Sequence, residues 1–336
     1  MRLSLMLALA AALTLPFEAR AQDCPDAYSR KLLGHTFAHP STIGSAFIDT
    51  YFGTRTSGRY ETLYNLTIGN VTTDINSLGV SEQVEFALAL GDKFSVGIGL
   101  FGRTLFGTNG RALATAGALY SYGAILDAGF RVVRIEESGT QIAVRGEVFG
   151  VQGGGRISLL PFIREVREDP SRDVPTALLN LGDLLITPVS RVGGAASINV
   201  AQAISRVFSV QASFRLDLRR TVQSPYVVAE GRRVDVASTH WAPQGGLAVG
   251  VAPPWPVTFA AEYRISAQDS QDPTAGARQM VALAAYYAGR PDLQVGPVIA
   301  SEFGLPELQG VALNGDVKHS DRANAISAQL MMRYFW

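Results

Sequence analysis

The sequence predicts an all-β fold, a transmembrane antiparallel up-and-down β-barrel of about 12 strands, on three observations. Period-two alternation of apolar and polar residues recurs in stretches of about ten residues. No stretch after residue 22 offers the roughly 18 consecutive apolar residues of a spanning helix. The final segment alternates up to the last residue, with one continuous apolar face ending on Trp336.

Composition agrees. The chain is 47% hydrophobic and only 17% charged, against about 25% charged in an average soluble domain. An exported chain without a spanning helix can still cross a membrane as a closed barrel, because closure satisfies every backbone polar group inside lipid. Lys+Arg and Asp+Glu are equal at 29 each, which gives no support for a nucleic-acid partner or a strongly charged one.

Taken from the N-terminus, residues 1–21 read as a secretion signal: a basic start at Arg2, an apolar run from Leu3 to Leu15, and small residues at Ala19 and Ala21. Cleavage after Ala21 and export to the outer membrane are expected. Cys24 is the lone cysteine, and the preceding Ala21-Gln22-Asp23 does not resemble a lipidation site. Residues 22–60 then form an N-terminal plug or periplasmic segment, and residues 61–336 the barrel.

The clearest strand runs from Val207 to Arg219, with Phe208, Val210, Ala212, Phe214 and Leu216 on one face. Val257 to Gln268 repeats the pattern. Similar stretches lie at Val84–Leu90, Phe94–Arg103, Tyr122–Val132 and Gln141–Val151; weaker ones at Tyr64–Ile68, Val192–Val200, Gly245–Val251, Gln279–Tyr287 and Leu293–Glu302. The last strand carries Ile326, Ala328, Leu330, Met332, Tyr334 and Trp336 on its apolar face. It resembles the C-terminal signal of outer-membrane barrels, which implies recognition by the barrel-assembly machinery.

Connections alternate in length. Short ones lie at Gly91–Lys93, Glu136–Gly139, Ser205-Arg206, Pro253–Trp255 and Arg290–Asp292; longer ones at Asn70–Gly79, Leu105–Leu119, Gln152–Arg191, Arg220–Trp241, Asp269–Arg278 and Gly304–Ala323. Short turns belong on the periplasmic side and long loops outside. A further hairpin within Gln152–Arg191 would raise the count to 14. Trp255, Tyr286, Tyr287, Tyr334 and Trp336 are candidates for an aromatic girdle at headgroup level.

The opposite faces carry charge. The expected lumen-lining bases are Arg103, Arg131, Arg145, Arg215, Arg264 and Arg333; the acids are Glu85, Asp127, Glu147, Asp217, Glu262 and Glu302. Several lie two apart on one strand and therefore share a face. They either satisfy one another and brace the lumen, or line a constriction that orients a polar solute, without strong selectivity for one sign.

Two segments remain. Residues 22–60 hold His35 and His39 and are long enough to enter the barrel. In Gln152–Arg191, Leu178, Leu179, Leu181, Leu184 and Leu185 fall on a helical period and could form an extracellular lid, plug or groove. An N-terminal segment combined with an apolar extracellular loop resembles the FadL-type hydrophobic-compound channels. That resemblance implies passage of hydrophobic solutes. The chain departs from that family in lacking its Asn-Pro-Ala signature and in its lower strand number.

Catalytic signals are weak. His240 follows Ser238 by two and His319 directly precedes Ser320, whereas barrel hydrolases place the serine two after the histidine. No spacing suggests a metal, and Gly153–Gly155 lacks the lysine and strand-to-helix setting of a phosphate loop. No enzyme activity, cofactor or metal is expected. The expected role is passive passage of small, including hydrophobic, solutes. The alternatives are a closed structural or surface-interaction barrel and an outer-membrane hydrolase.

Overall fold

The computed structural model describes residues 30–68, 71–115, 117–157, 185–227, 231–267, 277–287, 289–304, 317–318 and 322–336. Twelve long strands follow one another: β1 (Tyr51–Ile68), β2 (Val71–Leu90), β3 (Phe94–Gly107), β4 (Ala118–Ile135), β5 (Thr140–Ile157), β6 (Ile186–Ala203), β7 (Phe208–Gln223), β8 (Val236–Val251), β9 (Val257–Ser266), β10 (Arg278–Tyr287), β11 (Leu293–Gly304) and β12 (Arg322–Phe335). Each pairs antiparallel with its sequence neighbours, and β1 pairs with both β2 and β12, so the sheet closes on itself. The closing seam runs from Tyr51 opposite Phe335 to Tyr64 opposite Arg322. Closure leaves no open edge, which is what a sheet in hydrocarbon requires.

The radial distribution is inverted relative to a water-soluble protein. Large apolar side chains point outward and are exposed, among them Phe214, Leu330, Ile326 and Val148. Polar side chains point inward and are buried, among them Asn199, Gln141, Glu262 and Arg333. This apolar-out, polar-in alternation is the arrangement of a barrel solvated by lipid. Trp255, Tyr287, Tyr334 and Trp336 are exposed at the end of the barrel holding the short turns, as a girdle requires. Tyr286 is not part of it. It is 1% exposed and points into the lumen, because adjacent residues on a strand must face opposite sides.

The short connections fall where the sequence places them, at one end. Gly91 (φ 74°) and Gly139 (φ 68°) supply the left-handed conformation two of these turns need. The opposite end differs from expectation, because several strands run further than their apolar alternation does. β2 begins at Val71, within the expected loop Asn70–Gly79, and β7 and β8 pair out to Gln223 and Val236, within the expected loop Arg220–Trp241. Beyond the lipid an outward face no longer has to be apolar, so the pattern fades while the ladder continues. The barrel also starts ten residues earlier than the expected residue 61, at Tyr51.

Between β3 and β4 a short helix, α1 (Gly110–Thr115), folds inward. The Asn109 side chain caps it, accepting from the Ala112 amide at 2.8 Å. Ala112 is buried against Leu63, Ile75 and Ala323, on the inner wall at the extracellular end.

Candidate functional site in the barrel lumen

The residues preceding β1 do not extend away from the barrel. Lys31–Leu32 and His35–Thr36 form a two-stranded hairpin lying across the periplasmic mouth. His35 Nδ1 meets the Arg206 carbonyl at 3.2 Å, and Arg30 donates to the Pro291 carbonyl at 3.2 Å and to Gln294 Oε1 at 2.9 Å. The Arg30 guanidinium also stacks over the Phe335 ring at 3.5 Å. Leu32, Phe37, Ala46 and Phe47 pack with Ala143, Ala201 and Ala203 of the wall.

Residues 38–50 then cross the lumen without regular secondary structure. Buried backbone groups need partners, and here the wall's side chains supply them. Gln211 donates to the Ala38 carbonyl (2.9 Å), Gln141 to Ala46 (2.6 Å), and Arg145 to Ser45 (3.0 Å) and Phe47 (2.5 Å). Gln294 both accepts from the His39 amide and donates to its carbonyl. The tightest grip is that of Glu262. Its Oε1 accepts from the amide and hydroxyl of Ser41 at 2.8 and 2.9 Å, and its Oε2 from those of Thr42 at 2.7 and 2.5 Å. Close approach to β8 depends on Gly246, where a Cβ would lie 2.3 Å from Ile43 Cγ2.

Burial shifts the protonation of this crossing segment. Asp49 is pushed up to about 6 by desolvation, opposed by Arg30. His39 is held well below the usual histidine range by desolvation and by the nearby Arg333. Arg30 falls to about 10, again mainly through burial.

The crossing segment leaves a cavity of about 520 Å³ on its extracellular side, with His39 to Ser45 as its floor. Of the twelve charged residues expected inside, Glu85, Asp127, Arg145, Glu147, Arg215, Asp217, Arg264, Glu302 and Arg333 line it. Glu262 lies below, engaged by Ser41 and Thr42. Arg131 sits at the periplasmic rim, paired with Asp92 at 2.7 Å. Arg103 shares the inward face of β3 but does not line the cavity. Seven of the nine cavity-lining residues meet one another in ion pairs: Arg145 with Asp127 (3.2 Å), Arg333 with Glu85 (3.2 Å), and Arg215 with both Glu147 (2.5 Å) and Asp217 (2.6 Å). Glu302 is bound by Arg59 at 2.9 Å and by Arg278.

Arg55, Arg59, Arg278 and Gln329 escape the sequence reading. Arg55 and Arg59 fall within residues assigned to the N-terminal segment, and Arg278 within an expected loop. Gln329 sits on the inward face of the last strand, where only charge was singled out. Of the lid residues, Leu178, Leu179, Leu181 and Leu184 lie outside the described residues and Leu185 immediately precedes β6. Cys24, the signal segment, His319 and Ser320 also lie outside them. His240 lies on β8 opposite Arg219 of β7. Among the described residues no three His, Cys, Asp or Glu side chains converge as a metal site.

No family model and no curated protein matches this chain. Solved structures do resemble it. An outer membrane channel from Pseudomonas putida F1 superposes with a TM-score of 0.51 at 10% identity, covering 89% of this chain and 100% of that one. The translocator domain of the autotransporter NalP from Neisseria meningitidis gives 0.50 at 12% identity, covering 89% and 90%. At such identities the likeness concerns fold, and it joins the closed ladder and inverted faces in one conclusion: the chain has the fold of the outer-membrane β-barrels.

Proposed function

We propose that this protein is a passive outer-membrane channel for small polar solutes, closed in the present conformation by residues 30–50. The observation that carries this reading is the polar cavity of about 520 Å³, floored by a segment held mainly through side-chain hydrogen bonds. Such a segment can leave without disturbing the ladder, because none of its residues from 38 to 50 belongs to the sheet. A 12-strand barrel is wider than the 8-strand size that its own side chains fill. The charged lining favours a polar solute over the hydrophobic one that the FadL-type resemblance implies. Membrane lipid is the surrounding partner, the C-terminal strand the element offered to the assembly machinery, and the lumen side chains serve solute passage rather than a reaction.

A closed structural barrel is the second reading, favoured by the mutual pairing of the inward charges. Conductance in a planar bilayer separates the two. The mature chain is expected to be silent or to open briefly, and the barrel lacking residues 22–48 to conduct steadily. A correctly inserted truncated barrel that stays silent would remove the channel reading and leave the structural one.

A further inference from the structure

The cavity's charges balance in total but not in place. On the wall made by β12, β1 and β2, two guanidinium groups, Arg55 and Arg333, face one carboxylate, Glu85. Arg333 takes that carboxylate at 3.2 Å, leaving Arg55 with a single ion pair among the described residues, at 3.9 Å. Arg55 Nε, Arg333 Nε and Gln329 Oε1 have no hydrogen-bond partner among the described residues, and all three side chains line the cavity on adjacent strands. Buried polar atoms are seldom left unpaired. Two unpaired guanidinium N–H donors that share one carboxylate are a place prepared for an anionic group, whereas the unpaired Gln329 Oε1 is an acceptor and offers such a group nothing.

The facing wall has the opposite imbalance. Glu147 of β5 and Asp217 of β7 share one cation, Arg215. Asp217 is completed by Gln244 at 2.7 Å, while among the described residues one oxygen of Glu147 is engaged, Oε1 by Arg215. Around the closed ring of twelve, β7 is six strands from β1 and β5 is four, so Asp217 stands directly across the lumen from β1 and Glu147 stands to one side of that axis. Among the described residues the other charges lining the cavity do not alter this polarity. Asp127 and Arg145 neutralise each other, and Glu302 is flanked by two arginines. Arg264 reaches the plug's Thr42 carbonyl, and Arg219 lies one pleat further out and does not line the cavity.

We infer that the cavity is a two-pole binding site for a small zwitterion, its carboxylate seated at Arg55 and its ammonium at Glu147. The inference rests on the channel reading for its biological meaning, but binding itself needs no open pore. A cavity of this volume suits a small molecule. Charge-assisted contacts at both ends would orient a dipolar solute along the axis between the walls. A purely anionic or cationic solute would gain one pole and be repelled at the other.

The test is calorimetric titration of the full-length mature protein in detergent at low ionic strength, where screening is weak. The probes are γ-aminobutyrate and ε-aminocaproate, with caproate and hexylamine as single-charge controls. At least one amino acid is expected to bind about ten-fold more tightly than either control, the size of one charge-assisted contact. Arg55→Gln and Glu147→Gln are each expected to abolish that preference, with far-ultraviolet circular dichroism and heat-modified gel mobility reporting that each variant remains a barrel. Equal binding of amino acid and controls, no binding of any probe, or a preference surviving in either variant would overturn the proposal. Conductance of the plug-deleted barrel reads the channel function separately: a conducting barrel without zwitterion preference sinks this inference alone, and zwitterion binding in a barrel that never conducts sinks the channel reading alone.

Discussion

The barrel wall and the segment that crosses it are built by different rules. The wall is held by its backbone: every strand from β1 to β12 lies in a ladder with two neighbours, and its outward side chains are solvated by lipid. The crossing segment at residues 38–50 has no ladder. It borrows partners from inward side chains of the wall, chiefly Glu262, Arg145, Gln141, Gln211 and Gln294. One part is therefore cooperative and closed, and the other is an insert that can come loose while its host stays folded.

The sharpest way to separate them is to remove the Glu262 carboxylate. It accepts four hydrogen bonds from Ser41 and Thr42 while buried to 2% exposure. Glu262→Ala strands those donors and is expected to weaken docking of the segment by about 3–5 kcal/mol, the usual cost of breaking a buried charged contact. Amide hydrogen exchange should accelerate across residues 38–50 and stay slow in β7 and β8. Acceleration of the strands to the same degree would mean that wall and insert are one cooperative unit.

The complementary change acts on the wall alone. Phe214 projects outward from β7, 57% exposed, roughly midway through the lipid-facing belt. Phe214→Arg is expected to cost the barrel about 2–4 kcal/mol, the price of a cationic side chain near the bilayer midplane. Urea unfolding in lipid vesicles should show the loss as a lower midpoint with an unchanged slope. Exchange in residues 38–50 measured under native conditions should be unaffected, because Phe214 touches lipid and not the insert.

This division also explains how far the sequence could be read. Strands with one face in lipid announce themselves: Val257 to Gln268 is expected and Val257–Ser266 observed, because Phe259, Tyr263 and Ile265 had to be apolar. The inward charges follow from the same parity, and nine of the twelve residues expected inside line the cavity, while Arg131 sits at the rim. β1 was only half legible. Its first ten residues put Thr54, Thr56 and Gly58 outward, and that weak apolar face concealed Arg55 and the start of the barrel together. The insert was illegible in detail, since Ser41, Thr42 and Gly44 obey no period. Their positions are set by groups some 150 to 220 residues away, such as Asn199, whose Oδ1 would lie 2.2 Å from a Cβ at Gly44.

Acidity offers the smallest but most specific handle on the insert, because two of its groups respond in opposite directions. Asp49 has its pKa raised to about 6 in the docked segment. Its neutral form is the one the site prefers, so docking is favoured at low pH and loses that contribution as pH rises from near 4 through about 6. His39 has its pKa depressed by burial and the nearby Arg333, so the docked form prefers it neutral. Its contribution is present above the unfolded value of about 6.5 and is lost as pH falls below it. Between pH 6 and pH 4 the two oppose each other, and the intact protein is expected to show a shallow dependence of exchange in residues 38–50. Asp49→Asn leaves the histidine alone and should make the segment loosen steadily on acidification. His39→Gln leaves the aspartate alone and should make it tighten. Parallel pH profiles for the two variants would show that neither group titrates in the docked segment, and that the insert is held by its uncharged contacts alone.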